Sequence, residues 1–278
     1  MKITKRLDRA IKESERVLLD KEYDVAYPID LLYAIFKDES GLIEELFEEL
    51  NPSMKEIERK LDHLERKSEF HNHELFGIEI SSTLDIVLND AKDYMNRYGQ
   101  VYLNIGHIIK AICRCDNYST SIFTPEEVSL LLKLTTESRD LYVKLNNNEK
   151  LEDEVKCDYQ IHRGTMNELD RVVKFVLSEF NLNWAKNVEK GFLEDNISIF
   201  YVTDEEEIIG FGAFNVIADG VFGPMGVSKN YRSRNIGSKI VKTILCDMKD
   251  KKYEKVVIDD AGPIEFYERV CNAHHISK

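Results

Sequence analysis

Apolar positions along the first half of the chain recur at helical spacing, and the whole pattern occurs twice. Ile3, Leu7, Ala10, Ile11, Val17 and Leu18 mark one helical face. Ile80, Leu84, Val87, Leu88, Tyr94 and Met95 mark another, at a constant offset of 77 positions. The offset persists downstream, where Leu31, Leu32, Ala34 and Ile35 match Ile108, Ile109, Ala111 and Ile112. Each block predicts a long helix, a short loop and a second helix. Further helices are expected over 41–50 and 53–64 in the first block and over 125–134 in the second. Neither block can bury its apolar face alone, so the two should pack as a pseudo-twofold pair.

The run Asn146-Asn-Asn-Glu-Lys-Leu-Glu-Asp-Glu154 is polar and charged and reads as a linker over 146–156. Beyond it the pattern alternates. Strands are expected over 159–163, 197–203, 207–217, 221–227 and 255–260, with a last one beginning at Ala273. Helices are expected over 166–180, 185–193, from Ile236 onward and over 263–270. Thr165 and Glu168 stand at capping-box distance at the first of these. The reading is an all-helical domain of two pseudo-twofold repeats (1–145), a linker (146–156) and a mixed α/β domain (157–278).

The segment Gly226-Val-Ser-Lys-Asn-Tyr-Arg-Ser-Arg-Asn-Ile-Gly-Ser-Lys-Ile-Val241 carries the strongest chemical signal. An apolar strand end runs into a basic loop and then into a helix. First-turn amides lack helical partners and the dipole favours negative charge there, so the arrangement suits an anion. Arg232 and Arg234 add charge, and Gly237 lets backbone approach closely. A βα turn that binds nothing has the same pattern.

This segment resembles the acetyl-coenzyme A signature of GNAT N-acetyltransferases, Arg/Gln-x-x-Gly-x-Gly/Ala. Arg232 fills its first position and Gly237 its last, while Asn235 replaces the middle Gly. Asn tolerates the left-handed conformation a Gly would supply. Downstream, Asp260-Ala-Gly-Pro-Ile-Glu-Phe266-Tyr267 resembles the family's Asn-x-x-Ala-x-x-Phe-Tyr, with Asp260 for Asn and Pro263 for Ala. Gly223-Pro224 and Gly262-Pro263 are similar to paired elements of one GNAT subgroup.

The resemblance implies a GNAT fold with acetyl-coenzyme A as co-substrate. By it, Met225 and Val227 hold the pantetheine arm through their backbone groups. The amides of Arg232, Ser233, Arg234, Asn235, Ile236, Gly237 and Ser238 hold the pyrophosphate, and Tyr267 donates to the departing sulfur. The Ser238 hydroxyl is equally a phosphate ligand or a helix-turn hydroxyl. Phe266 reads as a core aromatic, and Tyr267 as a core aromatic or a functional hydroxyl. No carboxylate lies within 222–227; Asp219, Asp259 and Asp260 could each act as the base, directly or through water, although each reads first as a solvated loop carboxylate. Asp260 stands as the candidate base. The family's closing hairpin is expected to be short or absent, leaving the sheet to end early or to be completed by a second subunit, as in a homodimer.

The first half resembles the double N-terminal repeat of Clp-type chaperone ATPases, on Tyr27-Pro-Ile-Asp-Leu-Leu32 and Asn104-Ile-Gly-His-Ile-Ile109. That module binds adaptors and substrates, in some cases phosphorylated arginine through a motif Glu. Here Ile29 and Gly106 occupy the Glu positions, so that carboxylate is missing from both repeats. His107 reads as a packing residue at a helix start rather than a ligand. No phosphate loop of an ATPase follows. Residues 70–73, Phe70-His-Asn-His73, read as a connector with no third metal ligand.

Composition narrows the function classes. The 278 residues carry a net charge of −13, which argues against non-specific nucleic-acid binding and mildly favours cationic substrates or basic partners. No apolar run is long enough to span a membrane, and the amphipathic N-terminus lacks a signal-peptide core. Five cysteines without zinc spacing read as reduced thiols of a cytoplasmic protein. Two functions follow: an acetyl-coenzyme A-dependent N-acetyltransferase with a protein-interaction module, or a non-catalytic regulatory protein with a degenerate coenzyme A-binding domain. The acceptor is an amine of a small molecule or a protein.

Overall fold

The computed structural model of the chain describes residues 1–38, 41–50, 53–66 and 69–276, so the end of the expected last strand, 277–278, lies outside the described residues. The chain divides into two compact units, Met1–Glu137 and Ser138–Lys278. The first contains α1 (Lys5–Asp20), β1 (Val25–Ala26), α2 (Pro28–Phe36), α3 (Leu42–Leu50) and α4 (Met54–Asp62). It continues with β2 (Phe70–His71), β3 (Glu79–Ser81), α5 (Ser82–Arg97), α6 (Ile105–Cys115), α7 (Asn117–Thr120) and α8 (Pro125–Thr136).

The 77-residue repeat is present in three dimensions down to its caps. Thr4 Oγ1 accepts from Leu7 N–H (3.3 Å) at the start of α1, and Ser81 Oγ accepts from Leu84 N–H (3.1 Å) at the start of α5. The first-helix and second-helix faces, including Leu7, Leu18, Leu31, Ile35, Leu84, Leu88, Ile108 and Ile112, merge into one core. Ala26 of β1 pairs in parallel with Ile80 of β3, and Ile3 bridges Leu103 in the same sense. Moving each residue of the first contact by the repeat offset yields the second, as a pseudo-twofold axis requires. β2 adds to β3, so the expected connector at 70–73 supplies a strand, and the helical domain carries a small three-stranded sheet.

The second helix of each repeat starts on an equivalent but chemically different cap. Asp30 Oδ2 accepts from Tyr27 N–H (2.8 Å), and His107 Nδ1 accepts from Asn104 N–H (3.2 Å). Asp30 is buried, which pushes its carboxyl up, and Arg66 opposes this through two 2.8 Å bonds. Among the described residues His107 has no such partner. Burial, with Lys110 nearby, depresses its imidazole to about 4. His107 is thus a packed cap. The positions where the resemblance expects Glu are interior: Ile29 is buried, and a Cβ on Gly106 would lie 2.3 Å from the Thr135 carbonyl oxygen.

The second unit begins with β4 (Arg139–Lys144) and α9 (Glu149–Glu152), then β5 (Gln160–Arg163), α10 (Leu169–Glu179), α11 (Leu182–Phe192) and β6 (Ile199–Asp204). It continues through β7 (Glu207–Phe214), β8 (Val221–Val227), α12 (Ile236–Asp250), β9 (Lys255–Ala261), α13 (Ile264–Cys271) and β10 (His274–His275). The seven strands are ordered β10-β4-β9-β8-β7-β6-β5, with β8 and β9 the parallel pair. Side chains alternate between two cores. Ile199 and Tyr201 face α10 and α11, whereas Phe200 and Val202 face α12 and α13.

Two expectations differ here. The division falls at 137/138 rather than at 145, and 149–152 form a helix within the expected linker. The reason is β4: Leu141 and Val143 are buried beside Val256 and Ile258, and the strand is inserted antiparallel between β9 and β10. The expected early end of the sheet beyond β9 is likewise replaced, because this strand from ahead of the α/β elements fills that place. No described helix is long and apolar enough to cross a membrane.

Two measurements check this account. A fragment of residues 138–278 should remain soluble and sheet-rich, whereas 146–278, lacking β4, should expose the β9 edge and aggregate; equal behaviour in gel filtration and circular dichroism would contradict it. For His107, the unfolded chain takes up a proton near the ordinary value of 6.5 that the folded state refuses down to about 4. Stability is therefore complete above pH 6.5 and falls by roughly 3 kcal/mol towards pH 4. His107→Gln should flatten that slope in urea titrations across the window, relative to wild type.

Candidate functional site

β8 and β9 are joined for only a short stretch. They pair at Val221–Val257 and Phe222–Ile258, and among the described residues these two strands do not pair beyond that point. At that level both strands bulge, each on its outer side. Against β7, the register shifts between Phe214–Phe222 and Gly212–Met225, so Gly223 and Pro224 oppose Ala213 alone. Against β4, it shifts between Leu141–Ile258 and Arg139–Ala261, so Asp259 and Asp260 oppose Asp140 alone. An extra residue bends a strand and raises its twist. Two such residues, level with each other and on opposite outer sides, part the strands after Phe222 and Ile258. Gly223, at φ 134°, takes a conformation open to glycine.

The parted segment of β8 presents backbone to the gap. Ser228 N–H donates to Ile209 O (2.9 Å), so Gly226 and Ser228 bond towards β7. Antiparallel alternation then turns the polar groups of Met225 and Val227 the other way. One is already used: Val227 O accepts from Arg232 Nε at 3.2 Å. On the α10–α11 side, Phe180 lies so close that a Cβ on Gly226 would stand 2.3 Å from its ring. Phe180 also stacks on Trp184 (5.3 Å) and contacts Phe211 (5.5 Å), an aromatic cluster with no spacing signature in the sequence.

Beyond β8 the chain makes a short turn over Lys229–Tyr231, and then Ser233 and Asn235 take left-handed angles, φ 68° and 62°. Asn235 therefore adopts the conformation expected of the missing Gly. The first helical bond of α12 runs from Lys239 N–H to Asn235 O (3.0 Å). The amides of Ser233 through Ser238 have no partner among the described residues. Free amides around left-handed residues at a helix start form an anion-binding concavity.

The side chains of this loop do other work. Arg234 Nη1 donates to Tyr159 OH (2.5 Å) and lies over Tyr231 at 4.9 Å. Asn235 Nδ2 donates to Lys156 O (3.0 Å). Arg232 is half-buried, and desolvation lowers its pKa. Gly237 sits under Phe266, whose ring would be 3.3 Å from an added Cβ. Ile236 and Ser238 are buried, so only their amides are pertinent to a ligand.

Tyr267 is buried, with its ring edge-on to Phe222 (6.4 Å) and Phe266 (5.0 Å). Phe222 is the last residue of β8 that pairs with β9, so Tyr267 stands where these two strands part. Burial pushes its phenol well above the usual value, and its hydroxyl has no hydrogen-bond partner among the described residues. The three candidate carboxylates separate clearly. Asp219 accepts from Tyr253 OH at the closed end of β8. Asp260 accepts from Ser138 Oγ, and its amide donates to Asp140 Oδ1 (3.0 Å). Asp259 lies against the gap: a Cβ on Gly223 would be 3.6 Å from its Cβ. Burial, then the charges of Asp140 and Asp260, raise the Asp259 carboxyl.

The sequence reading missed Ser138 and Asp140, which it placed in the first domain. The alternation Leu141, Val143, Leu145 was the available signal for a strand there.

Residues 165–273 match the model of the acetyltransferase (GNAT) family, and residues 2–124 match that of the Clp repeat (R) N-terminal domain. The chain thus carries a Clp-type N-terminal repeat domain followed by a GNAT acetyltransferase domain. Among solved structures it is similar to the N-terminal domain of the chaperone ClpD from Arabidopsis thaliana. Identity there is 14%, over 48% of this chain and 94% of that one, with a TM-score of 0.37. A second similarity is to a fungal multi-domain GH3 β-N-acetylglucosaminidase with a GCN5-related glucosamine N-acetyltransferase region. It has 17% identity over 52% of this chain and 21% of that one, with a TM-score of 0.39. A third is to an aminoglycoside acetyltransferase from an uncultured soil metagenomic sample, at 16% identity over 43% and 92%, with a TM-score of 0.33. No curated protein matches the chain significantly.

The left-handed start of α12 gives a direct test. Asn235→Val places a β-branched residue at φ 62° and should be about 1–2 kcal/mol less stable than Asn235→Gly. Both variants lose the bond to Lys156 O, so their difference in thermal denaturation isolates the backbone effect.

Proposed function

We propose that the protein is an acetyl-coenzyme A-dependent N-acetyltransferase acting on an amine, with the Clp-type domain as a protein-interaction module. One observation carries the reading: β8 and β9 part beside a row of unpartnered amides, 233–238, at the start of α12. The amides of Ser233, Arg234, Asn235, Ile236, Gly237 and Ser238 would hold the pyrophosphate. Backbone groups of Met225 and Val227 would hold the pantetheine arm, with Arg232 moving off Val227 O or sharing it. Arg232 and Arg234 contribute positive charge at the loop.

Acetyl transfer forms a C–N bond and breaks a C–S bond. A free amine attacks the thioester carbonyl, the nitrogen loses a proton to a base, and the departing sulfur is met by a donor. Tyr267 suits the donor because burial keeps its phenol protonated. Asp259 suits the base better than Asp260, whose carboxylate is tied to Ser138 and whose amide is tied to Asp140. A raised carboxyl also brings Asp259 nearer to a working base. Tyr267 packs with Phe222 and Ile258, while the next residue along β9, Asp259, projects to the other face. Base and donor thus reach the gap from opposite sides of the sheet. The five free cysteines suit a reducing compartment, which we take to be the cytoplasm.

The occupied Val227 carbonyl favours a second reading, a regulatory protein whose GNAT domain binds coenzyme A without turnover. Thiol release from acetyl-coenzyme A across a panel of primary amines, beside calorimetry, separates the two. The transferase reading predicts amine-dependent release, and a loss of 10-fold or more in kcat for Tyr267→Phe with an unchanged Kd for acetyl-coenzyme A. Binding without release by the wild type would support the second reading.

A further inference from the structure

The carboxylate nearest the gap is held from a strand that lies outside the segment matched to the GNAT family. β4 precedes that segment, yet it is inserted beside β9 and meets it at the bulge. Ile258 and Ala261 both belong to the α12–α13 core although they are three residues apart. Regular alternation would put them on opposite faces, so the extra residue between them is accommodated on the other face. Asp259 and Asp260 occupy that place, with Asp140 as their single opposite number.

Two contacts fix the bulge, one from β4 and one from the residue just ahead of it. Asp140 Oδ1 accepts the Asp260 amide at 3.0 Å, while Asp260 sits at the left-handed φ of 46°. Ser138 Oγ donates to Asp260 Oδ1. An Asp at a left-handed angle needs such support, because non-glycine residues occupy it at a cost. With Asp260 pinned, the preceding residue has one place to go, against Gly223 where β8 and β9 separate.

We propose that Asp140 is a positioning residue for Asp259: it anchors the Asp259–Asp260 bulge through the Asp260 amide and so aims Asp259 at the gap. This rests on the transferase reading for its chemical meaning, but the anchoring stands on geometry alone. Asp140 also acts through its charge. The charged groups around Asp259 are Asp140 from β4 and Asp260 from β9 itself; β8 offers only Gly223, and alternation along β4 sends Arg139 to the Leu141 face. Two like charges beside a carboxylate favour its protonated form.

Asn and Ala at position 140 separate the two roles. Asp140→Asn keeps an acceptor for the amide and removes the charge; Asp140→Ala removes both. The test uses the full chain with 13C-labelled aspartate carboxyls and 15N amides, read by NMR across pH 3–8. In Asp140→Asn the Asp259 carboxyl should titrate at lower pH than in wild type, while the Asp260 amide stays protected from exchange. In Asp140→Ala that protection should fall 10-fold or more. With acetyl-coenzyme A and whichever primary amine gives thiol release, the acid limb of kcat/KM should move to lower pH in Asp140→Asn. Asp140→Ala should lose 10-fold or more in kcat with little change in KM for acetyl-coenzyme A.

An Asp259 titration that ignores both substitutions, with Asp260 amide exchange unchanged in Asp140→Ala, would overturn the proposal. A carboxyl and an amide that respond as described, in a protein that releases no thiol with any amine, would uphold the anchoring and defeat the transferase reading instead. If Asp140→Ala does not fold, hydrogen exchange at the Asp260 amide of the wild-type chain decides the anchoring: a protected amide upholds it, and an amide that exchanges as fast as in an unfolded chain overturns it.

Discussion

The second unit depends on a local failure of strand pairing. A parallel pair surrounded by antiparallel neighbours would ordinarily stay hydrogen-bonded along its length. Here one extra residue on each outer side, Gly223–Pro224 against Ala213 and Asp259–Asp260 against Asp140, ends the pairing at Phe222 and Ile258. The opening is bordered by the polar backbone of Met225 and Val227 on β8, by Tyr267 beneath Phe222 and by Asp259 against Gly223. Without the bulges, β8 and β9 would satisfy each other, and the free amides at the start of α12 would border a closed sheet.

Much of this was legible in the chain. The offset of 77 positions gave the repeat, and the structure carries it into caps, core and reciprocal strand pairs. Elements with strong periodicity or strong punctuation, such as α12 after the basic loop and β8 over Val221–Val227, stand where the pattern puts them. Asn235 in the left-handed region was legible because few side chains tolerate it.

What was not legible is long-range. Six residues, Arg139–Lys144, alternate as a strand should, but periodicity cannot say which sheet a strand joins. Lying next to helical repeats and before a polar run, they read as the end of the first domain. The choice among Asp219, Asp259 and Asp260 was illegible for the same reason. It turns on a register shift between β4 and β9, residues about 120 positions apart, where local sequence carries no information. The Phe180–Trp184–Phe211 cluster over Gly226 is likewise assembled from the turn after α10, from α11 and from β7.

The placement of β4 gives the chain an economy of connection. Glu137 ends the first unit and Ser138 begins the second, and Ser138 and Asp140 hold Asp260. The junction between units and the support of the candidate base are the same few residues. The most direct test of the central claim follows amide signals of the full chain by 15N NMR as coenzyme A is added. The account predicts that Ser233 through Ser238, with Met225 and Val227, show the largest shifts and that the first unit is nearly unmoved. Shifts absent from those amides, or scattered evenly over both units, would contradict it.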